Sequence, residues 1–192
     1  MADSNITKRA LASVFKKLME EMPFAKISVS DICERCQMNR KSFYYHFKDK
    51  YELVNWIFDT EFLDAIHEQG VKTGWDILSI LCHYLYDNKE FYRRALKIEG
   101  QNSFEEHFRE TLGMIVNRQL EDLIQIHAGE FAPELSQQDV QTFVTALVTD
   151  GVVSAIMRWL MDKKPMTADV FLKLLRSFIH KMSDKVQDER YS

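Results

Sequence analysis

Residues 27–54 carry the sequence ISVSDICERCQMNRKSFYYHFKDKYELV, which decides the fold of the N-terminal part. Ser28 is followed three residues later by Asp31, and each side chain can satisfy an orphan backbone N–H at a helix start. This spacing predicts a short helix that runs to about Arg35. After the connector 36–38, Asn39 is a good N-cap for a second short helix over RKSFYYHF. Two short helices joined by a tight turn are typical of a helix-turn-helix.

Helical patterns continue on both sides of this stretch. Apolar residues recur at helical spacing from Ile6 to Met19, and Pro23 ends that first helix. Asp49 with Glu52 caps a fourth helix through YELVNWIFDTEFLDAI. Further helix starts are predicted at Thr73, Ser103 and Ser136, each followed by acidic residues, and stops at Gly129 and Pro165.

Composition supports an all-α fold. The chain of 192 residues is 46% hydrophobic and contains only 6 Gly and 3 Pro, which disfavours a turn-rich β fold. We predict a helix-turn-helix DNA-binding domain over residues 1–50 and a helical regulatory and dimerisation domain over 70–192. Helix four, about residues 49–69, links them, and the boundary lies near Gly70.

Two long C-terminal segments have more apolar surface than one core needs. Their apolar residues recur at helical spacing, which predicts two adjacent helices, the first buried on two faces, that pair with a second copy of the chain. The residues are Val140, Phe143, Val144, Leu147, Val148, Val152, Ile156, Trp159 and Leu160 in the first helix, and Val170, Phe171, Leu174, Leu175, Phe178, Ile179 and Met182 in the second.

The charge distribution favours nucleic acid at one place only. The net charge of −4 argues against DNA binding, because phosphate contacts need cations. However, residues 1–60 hold 10 Lys or Arg against 8 Asp or Glu, and the remainder holds 15 against 21. The segment 39–50 contains Arg40, Lys41, Lys48 and Lys50 against Asp49 alone. The positive charge is therefore local, as a small DNA-binding surface requires.

The second short helix has the chemistry of a recognition helix. Phe43 and Phe47 are four residues apart and can anchor it, while its polar and aromatic side chains face outward. Arg40 or Lys41 can donate to guanine O6 and N7, and the Tyr and Ser hydroxyls suit bases or phosphates. Lys48 and Lys50 lie where phosphates should pass.

The same residues resemble the DNA-binding signature of the TetR family, in which a Phe-Tyr-x-His-Phe core precedes a Lys-rich turn. The resemblance covers about the first 60 residues. It implies a helical ligand-binding and dimerisation region after them, and DNA contacts from the start of helix two and from helix three. With the N-cap and the basic residues above, the predicted DNA-binding set is Ser28, Ser30, Asn39, Arg40, Lys41, Ser42, Tyr44, Tyr45, His46, Lys48 and Lys50.

Two details refine this resemblance. The family commonly has Gly in the turn where this chain has Gln37, so either the turn differs or the cost of a non-Gly residue at positive φ is absorbed. The stretches FYRRALKIEGQNSFEEHF and GVVSAIMRWL resemble the subgroup that contains the TetR-like activator of dihydroxyacetone kinase operons. The resemblance to that subgroup implies that the protein acts together with a kinase-like coactivator protein.

The sequence gives little evidence for a metal site, a cofactor site or a catalytic site. Cys33 and Cys36 have C-x-x-C spacing, but no second Cys or Cys/His pair completes a zinc site, and reduced thiols are expected. The six histidines lack the i, i+4 metal spacing, and no catalytic motif is present, so we expect no metal, no cofactor and no enzyme activity. Seven aromatic residues are expected to be core more often than pocket: Trp75, Tyr84, Tyr86, Phe91, Tyr92, Phe104 and Phe108.

The leading hypothesis is a cytoplasmic regulator that binds palindromic operator DNA as a homodimer. A small-molecule effector or a coactivator protein alters its affinity, and helix four is the candidate lever. Two alternatives stay open: a helical protein-protein adaptor, and a coactivator-dependent activator that does not bind DNA alone. No run approaches the roughly 18 consecutive apolar residues of a membrane span, and no signal peptide is expected. The ligand-binding residues, the operator and the direction of regulation stay open.

Overall fold

The computed structural model describes residues 2–69, 73–98, 104–131 and 134–188. Within these ranges the chain is helical and contains no strand, which confirms the predicted all-α fold. One 3-10 turn, Phe24–Lys26, separates the first two helices. The helices are α1 (Ala2–Glu21), α2 (Val29–Arg35), α3 (Arg40–His46), α4 (Lys50–Gln69), α5 (Gly74–Asp87), α6 (Lys89–Ala95), α7 (Phe104–Phe131), α8 (Gln137–Met161) and α9 (Ala168–Asp188).

Local signals fixed most helix starts. Ser28 forms a capping box with Asp31 at α2, and Thr73 forms another with Asp76 at α5. Ser136 caps α8 by accepting a hydrogen bond from a backbone N–H. The predicted start at Ser103 and the boundary near Gly70 lie outside the described residues.

One predicted helix stop is wrong. Gly129 was expected to end its helix, but α7 continues through it to Phe131. A glycine inside a helix costs only about 1 kcal/mol relative to alanine. Because α7 is 28 residues long and packs along α8, its tertiary contacts can outweigh that cost.

One hydrophobic core runs through the described parts of the chain, from Leu11 in α1 to Phe171 in α9. At its centre the Phe58 ring of α4 contacts the rings of Phe62, Tyr92, Phe104 and Phe108. Phe91, Tyr92, Phe104 and Phe108 are buried, which confirms the core interpretation for these aromatic residues. Trp75, Tyr84 and Tyr86 are half-buried.

Polar contacts tie α4 to three other helices. Lys16 of α1 donates to both carboxylate oxygens of Glu61 at 2.9 Å, and the Tyr84 hydroxyl of α5 donates to the same carboxylate at 2.6 Å. Asp59 pairs with His107 of α7 at 2.6 Å. These contacts join α1 and α4 to α5 and α7.

Within a single chain α8 buries part of its apolar surface, and the second buried face was predicted to pair with another copy of the chain. Val140, Val152, Ile156, Trp159 and Leu160 are buried, but Phe143 and Leu147 are 68% and 61% exposed. On α9, Val170, Leu174 and Phe178 are also exposed. By length and composition alone α8 could cross a membrane, the one described helix for which this is so. Here it packs against α5, α6 and α7 and presents its remaining apolar side outward.

Candidate DNA-binding surface

Two short helices and a tight turn build the candidate surface. At α2 the Ser28 hydroxyl and backbone N–H donate to the Asp31 carboxylate at 2.7 Å, and the Asp31 N–H donates back to the Ser28 hydroxyl at 3.2 Å. In the following turn Gln37 has a φ of 54°, and the Met38 N–H donates to the Cys33 carbonyl at 2.9 Å. The turn thus has the left-handed geometry for which glycine is the usual residue, and Gln37 absorbs the cost.

The recognition helix α3 is fixed by its cap and its buried side. The Asn39 side chain accepts hydrogen bonds from the Ser42 N–H at 2.9 Å and from the Ser42 hydroxyl at 3.3 Å. Phe43 and Phe47 are fully or almost fully buried, with ring centroids 5.8 Å apart. As predicted, two phenylalanines one turn apart anchor α3, and this fixes which of its faces points outward.

The outward face of α3 combines charge, aromatic rings and hydroxyl groups. Arg40 and Lys41 are exposed, and Tyr44 and Tyr45 are 50% and 83% exposed. The Arg40 guanidinium donates to the Tyr44 hydroxyl at 3.2 Å, and this hydrogen bond raises the pKa of Arg40. Lys48 is exposed in the turn after α3. This face offers donors to base edges and cations to phosphates.

Several of the predicted DNA contacts are half-buried or have side chains that already bond to other groups in the protein. Ser28 and Asn39 use their side chains as caps, and Ser30 is half-buried on α2. His46 is half-buried and lies 3.5 Å from the Ser4 hydroxyl, measured from its Nδ1 atom. Ser42 donates to the Asn39 cap. Their contact with DNA stays a prediction.

Lys50, one of the predicted phosphate contacts, makes several contacts within the protein. Its Nζ donates to the backbone carbonyls of Phe24 and Ile27, both at 2.7 Å, and lies 4.2 Å from the centroid of the Phe24 ring. Burial lowers the pKa of Lys50, an effect that the nearby Asp31 carboxylate opposes. The ammonium therefore fastens the start of α4 to the segment before α2.

The contacts that α1 makes with residues beside the candidate DNA-binding surface were not predicted from the sequence. Lys8 lies 5.4 Å from the Phe47 ring and 5.6 Å from the Trp56 ring, and Ser4 contacts His46. Ser4 and Lys8 are four residues apart and therefore lie on one face of α1. This spacing of four residues is the signal in the sequence that indicates a shared polar face on α1.

The three cysteines lie in buried or half-buried positions. All three cysteines are free, and burial raises the pKa of Cys33 and Cys36, which disfavours the reactive thiolate. In the described part of the chain, no group of three or more His, Cys, Asp or Glu residues is placed to hold a metal ion.

A capped, basic recognition helix held by a small core, continuous with a larger helical body, defines a helix-turn-helix regulator of transcription. The comparisons agree with this class. The profile described as "Bacterial regulatory proteins, tetR family" matches residues 15–57, and the profile described as "Transcriptional regulator C-terminal region" matches residues 75–181. The chain belongs to the TetR family of transcriptional regulators.

Individual relatives extend this finding. The chain is 36% identical over 109 residues to the "HTH-type dhaKLM operon transcriptional activator DhaS" of Lactococcus lactis subsp. lactis strain IL1403. That match spans 56% of this chain and 57% of the relative, so it covers little more than half of either protein.

Solved structures show the same fold. The dihydroxyacetone kinase operon activator DhaS has a TM-score of 0.62 at 20% identity and covers 93% of this chain and 97% of its own. A TetR regulator from Streptococcus agalactiae 2603V has a TM-score of 0.61 at 18% identity, covering 93% and 96%. NalD, the secondary repressor of the MexAB-OprM efflux pump in Pseudomonas aeruginosa, has a TM-score of 0.61 at 15% identity, covering 94% and 97%.

Proposed function

We propose that this regulator binds palindromic operator DNA as a homodimer in the cytoplasm, and that a small molecule or partner protein changes its affinity for DNA. The observation that carries the proposal is the exposed face of α3, where Arg40, Lys41 and two tyrosines project from a helix anchored by buried phenylalanines. A helix of this kind fits the major groove. Residues 1–50 would form the reading head, α4 the link and residues 70–192 the regulatory body.

The contacts within α3 suggest a division of roles. Arg40 is held by the Tyr44 hydroxyl, with its guanidinium carbon 5.8 Å from the Tyr44 ring centroid, so its planar group is partly pre-oriented for a guanine edge. Lys48 lies beyond the C-terminal end of α3 and is exposed. It would contact phosphate, which positions the protein without reading sequence.

Dimerisation is supported by the uncovered apolar side of α8 and α9. We name the exposed set Phe143, Leu147, Val170, Leu174 and Phe178 the α8/α9 face. Five large apolar side chains on two neighbouring helices are unusual for a solvent-facing surface and typical of an interface. A two-fold pairing of this face would present two copies of α3 to successive major grooves, about 34–36 Å apart.

Selection from random duplexes tests the proposal. The selection uses the purified full chain and is repeated at several salt concentrations. It is expected to enrich a palindromic site whose half-sites are about one helical turn apart. Its own upstream region serves as a natural candidate sequence. A lack of enrichment at every salt concentration would contradict independent operator binding.

Matched variants test the division of roles. Lys48→Ala is expected to weaken binding to all sequences alike and to lower the salt slope by about 1. Arg40→Ala and Tyr44→Ala are expected to erode specificity at particular base pairs, by about 1–3 kcal/mol. Lys173→Ala, an exposed lysine on α9, is the control and should change neither quantity. Equal losses from all three test variants would argue against this assignment.

A coactivator-dependent activator is the second candidate. Activation is favoured by the 36% identity to a relative that is named as an operon activator. The need for a coactivator is what the subgroup resemblance implies. A promoter reporter separates the possibilities: an activator raises transcription from the selected site and a repressor lowers it. A regulator that needs its coactivator would fail the duplex selection alone and succeed when the coactivator protein is added.

A further inference from the structure

The seam between α7 and α8 changes from apolar to polar along its length. In the C-terminal half of α8, Val153, Ile156 and Leu160 are buried. In the N-terminal half, the corresponding helical positions hold Gln138, Thr142, Thr145 and Thr149. A helix pair that only needed to pack would continue its apolar stripe, so the polar half calls for another explanation.

The polar half of the seam borders an open groove of about 740 Å³. Asn117 lines it from α7, and Gln141, Thr142, Thr145 and Thr149 line it from α8. Gly113 faces Thr149 across the groove, and a Cβ there would lie 3.8 Å from the Thr149 methyl carbon. The volume is within the range of small-molecule sites.

Thr149 is the distinctive group in this groove. Its side chain is buried, with 6% of the residue exposed, and its hydroxyl oxygen has no hydrogen-bond partner among the described residues. Thr142, on the same helix, donates instead to the Gln138 carbonyl at 2.8 Å. An unsatisfied buried hydroxyl is costly, and native proteins keep such groups where something else supplies the bond.

The charges around the groove limit the kind of ligand. Arg109 pairs with Asp150 and also with Glu105, at 3.3 Å, so its positive charge is offset and one negative charge remains. The other polar groups are hydroxyls and amides. The contacts from Gln141 and Thr145 to the Asn117 side-chain oxygen are both 3.5 Å, at the long limit for a hydrogen bond, and are easily exchanged for a ligand.

We propose that this groove binds a small uncharged molecule with several hydroxyl or carbonyl oxygens, anchored by the Thr149 hydroxyl. Uncharged donors and acceptors match such a molecule, whereas among the described lining residues the one cation, Arg109, is already paired and cannot offset a phosphate or carboxylate. On α8, Phe143 and Leu147 of the α8/α9 face directly follow the groove residues Thr142 and Ala146 in sequence. A bound molecule would therefore influence the pairing of protomers, a consequence that rests on the proposed dimeric function.

Methyl NMR of the full chain, labelled at threonine methyl groups, tests the binding step. The probes are the uncharged polyols glycerol, erythritol and xylitol, and the charged compounds glycerate and glycerol 3-phosphate. We expect saturable shifts of the Thr149 and Thr145 methyls with at least one polyol and none with the charged compounds. The Thr60 methyl on α4 should not move. Loss of one signal in Thr149→Val assigns Thr149.

Two substitutions show whether the hydroxyl is the anchor. Followed at the Thr145 methyl, Thr149→Val should raise the dissociation constant about tenfold, the effect of one lost hydrogen bond. It should also raise the Tm of the ligand-free chain, because it removes an unsatisfied polar group. Thr149→Ser should bind within about twofold of the native chain.

The proposal is overturned if no polyol shifts Thr149, if the charged probes shift it equally, or if Thr149→Val binds unchanged. Binding is read independently of DNA. A failed duplex selection with intact polyol binding would therefore refute only the proposed function, and the reverse result would refute only the groove.

Discussion

At the level of single residues, Gln37 shows how a local cost is tolerated. Its φ of 54° puts the backbone in the left-handed region. In this conformation the β-carbon of a non-glycine residue causes strain of about 1 kcal/mol or more. The turn is nevertheless held by hydrogen bonds from the Gln37 and Met38 N–H groups to helix α2, at 3.1 and 2.9 Å. The sequence left open whether the turn changes or the cost is absorbed, and the second alternative is correct.

Gln37→Gly is therefore expected to stabilise the chain by roughly 0.5–1 kcal/mol, after allowance for the greater freedom of glycine in the unfolded state. Urea unfolding measures the difference. Gln37→Ala is the control, because it keeps the β-carbon and should not give this gain. Equal stabilisation by both variants would indicate that the glutamine side chain, and not its backbone, is the source of strain.

Lys50 was predicted to contact phosphate from its charge, its position and the family resemblance, but its contacts within the protein were not predictable. The sequence shows a lysine near other lysines, but the two carbonyls that accept its hydrogen bonds belong to residues 23 and 26 positions earlier. Lys50→Met keeps most of the side-chain stem and removes the donors, so it should reduce the free energy of unfolding by about 1–2 kcal/mol.

Lys48→Ala provides the comparison for this prediction, since Lys48 is exposed and should alter stability by less than about 0.5 kcal/mol. Urea midpoints of the two variants, measured without DNA, separate a structural lysine from a binding lysine. Equal stability of Lys50→Met and the native chain would show that the internal contacts contribute nothing.

At the level of helices, the caps were predictable and the buried faces were not. Each cap depends on residues within three positions, as at Ser28 with Asp31 and at Asn39 with Ser42, so the sequence alone contains the necessary information. Which side of α8 is covered depends on α7, whose contacting residues lie 24 to 28 positions earlier, as for Asn117 with Gln141 and Thr145. The exposure of Phe143 and the burial of Thr149 follow from this packing, and a simple apolar count assigns both in the opposite way.

The contact of α4 with α7 should depend on pH. The hydrogen bond with Asp59 raises the pKa of His107 above its ordinary value of 6.5; burial opposes the shift, and the charges of Asp59 and Glu110 reinforce it. The pair is most stabilising when the histidine is protonated. Its contribution is thus complete below the ordinary pKa and is lost as pH rises through the raised value.

His107→Gln should accordingly lose stability relative to the native chain at pH 5.5 and much less at pH 9, as measured by urea midpoints across that range. Asp59→Asn is the matched variant on α4 and should remove the same pH-dependent difference. A constant gap at all pH values would mean that the histidine contributes by packing alone. The ion pair also anchors α4, the proposed lever between body and reading head.

For the whole molecule, a substitution on the α8/α9 face tests whether two copies of the chain pair through it. Leu147→Asp places a charge at the proposed interface. It should convert the proposed dimer to a monomer, as measured by light scattering, and weaken palindrome binding by on the order of a hundredfold or more. Ile6→Asp is the control, because Ile6 is similarly exposed on α1 and outside this face. An unchanged mass for Leu147→Asp would show that the pairing uses another surface.

The continuous core also limits how such a regulator can be recombined. Residues of α1 and α4 share one packed cluster with α5 to α9, and Arg94 of α6 donates to the Met19 carbonyl of α1. A chimera that joined this reading head to the body of a distant relative would cut through packed side chains instead of through a linker. New combinations of operator and effector specificity would therefore require compensating substitutions on both sides of the junction, which favours divergence of whole chains over exchange of modules.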